Sequence, residues 1–590
     1  MPRYCDIVMK GGITSGVVYP LAAVRLAEEY RFRNVGGTSA GAIAAAAVAA
    51  AEYGKRTRHG RGYDGIQELP EWLGGNLTSL FQPSRRMRPL LDAMISATTG
   101  GTMVKALAAP NSVPLAAVLG MVPGIALIVA SGLLESETTL RVFGIIGGAL
   151  LVLAGILAGT AISYLWRLRA LPRHYFGICS GNDRDGQAAD PPLTRWLADL
   201  LDDLAGKDKD VPLTFGDLWR LEEPDGERGV NLEMITTCLT HGRPYKLPFE
   251  ANEFWFRPNE FRDLFPERIV RWMEVHAEPP EIEIDDPGLR RLPRAADLPI
   301  VVAARMSLSF PLLIAAVPLY AINYERQPVR ENQPERCWFS DGGITSNFPI
   351  HFFDSPLPRW PTFAINLLSL PEGRSLDEDE GNNIWMPDDN SAGREERWDC
   401  WGKEKPLMQG IRFGSSIFHT AQNWLDSRQM GVHGYRDRIV HVYLDENEGG
   451  TNLKMDREVI ERISERGAEA ASLLRHRFAV PAPPETVLGW ENQRWIRYRT
   501  FMQLLEGAGT RLRTSYLDES VEGRTMTELN QRPVRHHPPG YPWGTQSQRA
   551  RANQATEALL ALFPESEAGK ASFAHDAPSP SPELRVMPRF

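Results

Sequence analysis

The chain has 590 residues and a formal net charge of −9, with 43% hydrophobic and 24% charged side chains, an ordinary globular composition with room for one large domain and appendages. The acidic balance argues against general nucleic-acid binding, which needs a basic face. Its 5 cysteines, Cys5, Cys179, Cys238, Cys337 and Cys400, are odd in number and never closely paired along the chain, so the sequence indicates neither a disulfide framework nor a zinc site, and a reducing cytoplasm fits.

In chain order, Tyr4 to Met9 reads as a strand and leads into Gly11-Gly12-Ile13-Thr14-Ser15-Gly16. A second strand-like run, Phe32 to Val35, is followed by Gly37-Thr38-Ser39-Ala40-Gly41 and then by the alanine-rich helix former Ala42 to Ala51. Gly37 to Gly41 is a G-x-S-x-G nucleophile elbow in the strand, turn, helix order that the motif requires. Glycines flank Ser39 because the turn is strained and strand and helix pack close against it. At a helix N-terminus the serine oxygen meets partial positive charge as it becomes alkoxide-like. Far downstream, Ala304-Arg305-Met306-Ser307 precedes Pro311, and Asp341-Gly342-Gly343 precedes Asn347 and Pro349. Asp-Gly-Gly suits a turn by itself, and only its pairing with the elbow makes Asp341 a candidate base.

Four blocks in this order resemble the patatin-like phospholipase family over roughly Tyr4 to Ala479. The resemblance makes Ser39 the nucleophile and Asp341 the catalytic aspartate. It also makes the backbone N–H groups of Gly11, Gly12 and Ile13 the oxyanion hole, worth roughly 3 to 4 kcal/mol each where such donors are well aimed. Its fold is a mixed, mainly parallel sheet between helices, with Ser39 at the carboxyl end of a strand, where open α/β sheets place their ligands. Two departures stand out: Ile13 replaces the usual third glycine and Ser15 the usual Arg or Lys. Lys10 is a candidate replacement for the lost cation, or simply a solvated strand end. A histidine base is the rival to a Ser-Asp dyad. His351, flanked by Phe348, Pro349, Phe352 and Phe353, reads as a packing residue, and His536-His537 as a solvated pair rather than a metal site.

Between the second and third blocks the chain carries no charge from Ala106 to Leu134. Residues 113–134 as a helix reach about 33 Å, against a hydrocarbon core of about 30 Å. Glu135 to Arg141 interrupts, and residues 142–166 form a second uncharged stretch. The pair reads as a transmembrane helical hairpin; buried core helices are the soluble alternative, which the length and the basic flanks argue against. Arg85, Arg86, Arg88 and Lys105 precede it and Arg167, Arg169 and Arg173 follow, so the positive-inside rule puts both ends in the cytoplasm. Gly120 and Gly124, Gly144 and Gly148, and Gly155 and Gly159 form G-x-x-x-G steps that would pack the helices closely or associate hairpins of separate chains. Pro123 is placed to kink the first helix.

Beyond the hairpin, Leu232 to Cys238, Ile300 to Ala304, Phe363 to Leu367 and Ile439 to Leu444 read as strands. Leu193 to Leu204, Asp456 to Arg477, Trp490 to Leu512 and Arg549 to Leu562 read as helices. Glu372 to Trp401 reads as a mobile surface loop, and the tail from Glu565 as disordered. The expected organisation is a first patatin-like part over residues 1–105, the hairpin at 106–166, a second patatin-like part with the aspartate at 167–479, a helical extension at 480–564 and a tail at 565–590.

Together these readings describe a membrane-anchored serine acyl hydrolase. It would cleave lipid acyl esters, as a phospholipase A or lysophospholipase, from the cytoplasmic side of a bacterial inner membrane. It would work through an acyl-enzyme without metal or cofactor. The alternatives are an acyltransferase or thioesterase on the same dyad, and a membrane scaffold with a decayed site.

Overall fold

The computed structural model describes residues 3–98, 115–133, 138–183, 190–223, 226–251, 253–280, 282–371, 373–387, 406–445, 447–450, 452–479, 489–532, 540–541, 543–563 and 572–579. The strands in chain order are β1 (Arg3–Met9), β2 (Tyr30–Gly37), β3 (Gly177–Cys179), β4 (Asn231–Cys238), β5 (Arg243–Leu247), β6 (Trp255–Phe256) and β7 (Arg290–Arg291). They continue with β8 (Leu312–Ile314), β9 (Val317–Ala321), β10 (Glu335–Asp341), β11 (Thr362–Ser369), β12 (Ile384–Trp385) and β13 (Ile439–Leu444).

One large mixed sheet has the order β12-β13-β11-β1-β2-β4-β10-β9-β6-β7, with β5 on β4, while β3 and β8 pair separately. Its centre, from β13 through β11, β1 and β2 to β4, is parallel. Central parallel strands are buried on both faces and read as continuous apolar runs, as Ile7-Val8-Met9 does. Ile7 and Met9 join the main core on one face, while Val8 packs with Phe348, Ile350 and Phe352 on the other. From β10 outward the pairing is antiparallel.

Register fixes the site. Met9 pairs with Gly37, so the loop after β1 and the elbow after β2 leave the sheet side by side. Asp341, the last residue of β10, pairs with Thr236 on the neighbouring β4. The elbow helix Ala40–Thr57 follows directly. Its buried alanines, including Ala42, Ala46 and Ala49, let it lie close to the sheet. A Cβ on Gly41 would overlap the carbonyls of Met9 and Lys10, which is why that position has no side chain.

Most predicted elements form with boundaries moved by a few residues: helices span Leu193–Ala205, Arg457–Phe478, Trp490–Leu517 and Gln546–Leu562. Ile300 to Ala304 is a correction, being part of a helix, Ile300–Ser307, not a strand. All of its residues are buried, and a short apolar run enclosed on every side carries no periodicity to separate helix from strand. The expected surface loop also needs correcting in part: Ile384 and Trp385 pair with β13 as an edge strand, and Met386 is buried. Residues 388–401 of that loop and His536-His537 lie outside the described residues. In the expected tail, Ser572 Oγ donates to Glu506 at 2.8 Å and ties residues 572–579 to the Trp490–Leu517 helix.

In the apolar middle two helices, Leu115–Leu133 and Thr138–Leu168, pack against each other. Gly120 faces Gly155 and Gly124 faces Gly148, each where a Cβ would overlap the opposite backbone. Among the described residues one helix, Thr138–Leu168, is long and apolar enough to cross a membrane. Its exposed side chains include Phe143, Leu150, Leu157 and Trp166, and the Arg86 guanidinium lies 4.0 Å from the Trp166 ring centre.

Candidate active site

Ser39 has φ 56° and ψ −127°. A non-glycine residue there is strained, and a strand-to-helix turn that holds a serine so is the geometry of a nucleophile elbow. The strain is held from several sides: the Ser39 amide donates to Ser307 Oγ at 3.2 Å, and the Ala42 amide to the Ser39 carbonyl at 2.9 Å. Ser307 closes the Ile300–Ser307 helix, so the third block braces the elbow. In the same helix Arg305 is fully buried and donates to Ser309 Oγ at 2.8 Å and to the carbonyls of Ser180 and Ala315 at 3.0 and 2.9 Å. With no carboxylate among those partners, burial lowers its pKa to about 9.

Asp341 caps the turn Gly342–Ile344, its Oδ1 accepting the Gly343 amide at 2.7 Å. Its Oδ2 is buried and carries no hydrogen bond of good geometry among the described residues. The Ser39 hydroxyl is nonetheless near enough to act on the carboxyl as a donor. Burial dominates, and against the pull of Ser39 and the Gly343 amide it pushes the Asp341 pKa up to about 7. The fold therefore brings Ser39 and Asp341 together across about three hundred residues of sequence.

The glycine-rich loop backs onto the serine: a Cβ on Gly11 would overlap Asn347 Oδ1 and stand 3.0 Å from Ser39 Cβ. The Gly11 amide itself donates to the Asn347 carbonyl at 2.8 Å. That corrects the expected oxyanion set, because an N–H already committed to a carbonyl is not a donor for substrate. The amides of Gly12 and Ile13 make no hydrogen bond among the described residues. Ala40, the first helical residue after Ser39, has an N–H with no intrahelical acceptor.

Lys10 Nζ donates to Asn366 Oδ1 at 2.9 Å and to the Leu367 carbonyl at 2.8 Å, so its charge is tied to β11. Ser15 is buried and its hydroxyl accepts from the Gly450 amide at 2.9 Å. It docks a second loop in place of the cation of the resemblance. His351 packs on Phe352, and the charges that act on it are those of Asp354, Lys246 and Glu233.

Asp426, on the helix Pro406–Met430, is a site-shaping residue that sequence reasoning missed. One of its oxygens accepts the amides of Asn347 and Phe348 at 2.8 Å each, and the other accepts the Ser346 hydroxyl at 2.8 Å. Asn347 in turn holds the Gly11 amide and the Thr38 hydroxyl on its carbonyl. No local motif announces such a residue.

Beside the elbow lies a partly open apolar cavity of about 90 Å³, bounded near Ser39 by Ile13 and Ala40 and farther in by Leu73, Phe81, Trp196 and Ile314. Its wall is almost wholly hydrocarbon, which suits an aliphatic chain.

No family model matches the chain. Among solved structures it is similar to VipD from Legionella pneumophila, at TM-score 0.31 and 14% identity over 98% of this chain and 89% of that one. It is also similar to the ExoU–SpcU complex of the Pseudomonas aeruginosa type III secretion system, at TM-score 0.22 and 16% identity over 90% and 66%. At these scores neither likeness bears on function. A curated relative, the RpoH suppressor of Rhizobium meliloti strain 1021, is 36% identical over an alignment 652 positions long, spanning 100% of this chain and 99% of the relative. Similarity of that depth along both full lengths makes this chain a member of the RpoH suppressor family.

Proposed function

We propose that the chain is a membrane-anchored serine acyl hydrolase of the patatin-like type, cleaving lipid acyl esters with Ser39 as nucleophile and Asp341 as base. The observation that carries this reading is the strained Ser39 beside a buried carboxyl whose Oδ2 has no other hydrogen-bond partner among the described residues, next to a cavity of hydrocarbon lining.

In the first step Asp341 Oδ2 takes the proton of Ser39 Oγ as that oxygen attacks the ester carbonyl. The negative charge on the carbonyl oxygen falls to the amides of Gly12, Ile13 and Ala40, whose removal would cost roughly 3 to 4 kcal/mol each. As the tetrahedral intermediate collapses, the leaving alcohol recovers the proton from Asp341, and the acyl chain rests in the cavity. Water then repeats the sequence and frees the fatty acid. An aspartate with an ordinary pKa near 3.9 is a poor base; one raised to about 7 is matched to neutral pH.

The apolar helix pair serves in this reading as a hairpin anchor with both ends in the cytoplasm. A hydrolase held at the bilayer meets its substrate at high effective concentration.

A fluorophosphonate probe tests the chemistry: it should label the wild-type protein and fail to label Ser39→Ala, with fatty acid release from phospholipid vesicles lost in parallel. Equal labelling of both would overturn the assignment of Ser39. Appearance of the acyl group on a second lipid, without free fatty acid, would redirect the reading to acyl transfer.

A further inference from the structure

Cys238 ends β4, His241 lies in the turn to β5, and Cys337 stands on β10. Antiparallel pairing of β4 and β10, with Phe339 opposite Cys238, is extended by the Leu239 amide on the Trp338 carbonyl at 2.8 Å. It is closed by the Trp338 amide on Thr240 Oγ1 at 2.9 Å. This pairing carries two thiols that are remote in sequence into contact, and both are buried. Cys337 Sγ is 3.4 Å from His241 Nε2, and the His241 amide approaches Cys238 Sγ at 3.4 Å. One ligand atom from each of the three side chains lies within 4.8 Å of the others.

The 3.4 Å between Cys337 Sγ and His241 Nε2 is close to one edge of a coordination tetrahedron, and the other two ligand pairs lie within 4.8 Å. With zinc–sulfur bonds of about 2.3 Å and zinc–nitrogen bonds of about 2.0 Å, a tetrahedral site needs S···N edges of roughly 3.6 Å and S···S edges of roughly 3.8 Å. The imidazole is also oriented as a ligand would be. Its Nδ1 is 2.6 Å from Tyr245 Oη, which also accepts from Arg243 at 2.7 Å. An Nδ1–H donated to the phenol oxygen leaves the Nε2 lone pair facing Cys337, and such outer partners are what fix the tautomer of metal-bound histidines. The phenol ring is itself held edge-on by Phe254 and Phe339. A buried cysteine that only fills space needs neither a neighbouring thiol nor an oriented imidazole.

We propose that Cys238, His241 and Cys337 bind one Zn²⁺ ion, with the fourth position open to water on the exposed side of His241. Two thiolates and a neutral imidazole match the divalent charge and suit zinc over the hard cations. The ion would clamp the β4 turn to β10. Alternation puts Cys337 and Asp341 on one face of β10, about 13 Å apart along the strand. The site therefore steadies the strand that presents the carboxyl, and it stands or falls independently of the hydrolase reading.

The full-length protein, purified without chelator, is analysed for metal by inductively coupled plasma mass spectrometry, and the chelated protein is titrated with Co²⁺. We expect about one zinc per chain, and on titration the d–d bands of tetrahedral cobalt with a thiolate charge-transfer band. Both should be lost in Cys238→Ser and in Cys337→Ser and kept in Cys5→Ser, which removes a buried thiol elsewhere. The wild-type titration depends on no variant's folding. Absence of metal together with absence of the charge-transfer band would overturn the site. So would a Cys238–Cys337 disulfide trapped by alkylation, or full metal content in both serine variants.

Discussion

The Gly343 amide donates to Oδ1 of Asp341 at 2.7 Å, so one carboxyl oxygen is spent on the turn while the buried Oδ2 has no hydrogen bond of good geometry among the described residues. Burial pushes the pKa of the group up to about 7. If this carboxylate is the base, kcat/KM should rise about tenfold per pH unit below pH 7 and level off above it, following one ionisation. A pH–rate profile on phospholipid vesicles measures this. A flat profile across pH 5 to 9, or a midpoint near 4, would remove Asp341 from that role.

The same shift fixes a stability prediction, with a definite sign. A carboxyl whose folded pKa lies above its unfolded value near 3.8 favours the fold while it is neutral. That contribution is complete below the unfolded pKa and is lost as pH rises through about 7, where the buried charge is left short of partners. The ceiling on the loss is roughly 4 kcal/mol, from about three pKa units at 1.36 kcal/mol each. Asp341→Asn, inactive as a hydrolase, should therefore melt above the wild type at pH 8, with the gap closing towards pH 4. Thermal unfolding at the two pH values is the measurement; a lower melting temperature for the variant at pH 8 would contradict the burial argument.

Part of this arrangement is legible in the sequence itself. The elbow was legible because its strain demands a glycine-flanked serine between strand and helix, a local signal in Gly37 to Gly41. The Asp341 turn was legible only through its order relative to the elbow. Ile300 to Ala304 misled because five enclosed apolar residues look alike as strand or helix. The commitment of the Gly11 amide to Asn347, the bonds of Asp426 and the meeting of Cys238 with Cys337 had no local signal at all. Each is a contact between distant segments created by strand order, and spacing along the chain does not encode it. The cysteines show this best: scattered in sequence, two of them touch because β10 lies beside β4.

Ser15 stands where the resemblance leads one to expect Arg or Lys, and the packing explains why a small residue serves. Its hydroxyl accepts the Gly450 amide, and Thr14 bonds the Gly450 carbonyl through its amide at 3.1 Å and its hydroxyl at 3.0 Å. Gly449, at φ 85°, lies against the same serine. A cationic side chain would have to displace that loop. Ser15→Arg should lower stability by about 1–3 kcal/mol and reduce turnover, whereas Ser15→Ala, losing one hydrogen bond, should cost about 1 kcal/mol. Urea unfolding beside vesicle hydrolysis distinguishes them, and higher activity in the arginine variant would reject the packing explanation.

Asp426 offers a sharper test, because its three bonds can be kept or lost by choice of substitution. Asp426→Ala strands the amides of Asn347 and Phe348 and the Ser346 hydroxyl, at a cost of about 2–5 kcal/mol. It also frees the loop whose carbonyl holds Gly11 and Thr38 beside Ser39, so kcat should fall at least about tenfold with KM little changed. Asp426→Asn can preserve every contact: the amide oxygen still accepts both backbone N–H groups, and the new NH₂ donates to Ser346 Oγ, whose hydroxyl previously donated to the carboxylate. We expect the asparagine variant to stay within about 1 kcal/mol of wild type and to keep most of its turnover. If asparagine fails as badly as alanine, charge rather than hydrogen-bond geometry is what Asp426 supplies, and its role as a positioning residue for the elbow would have to be abandoned.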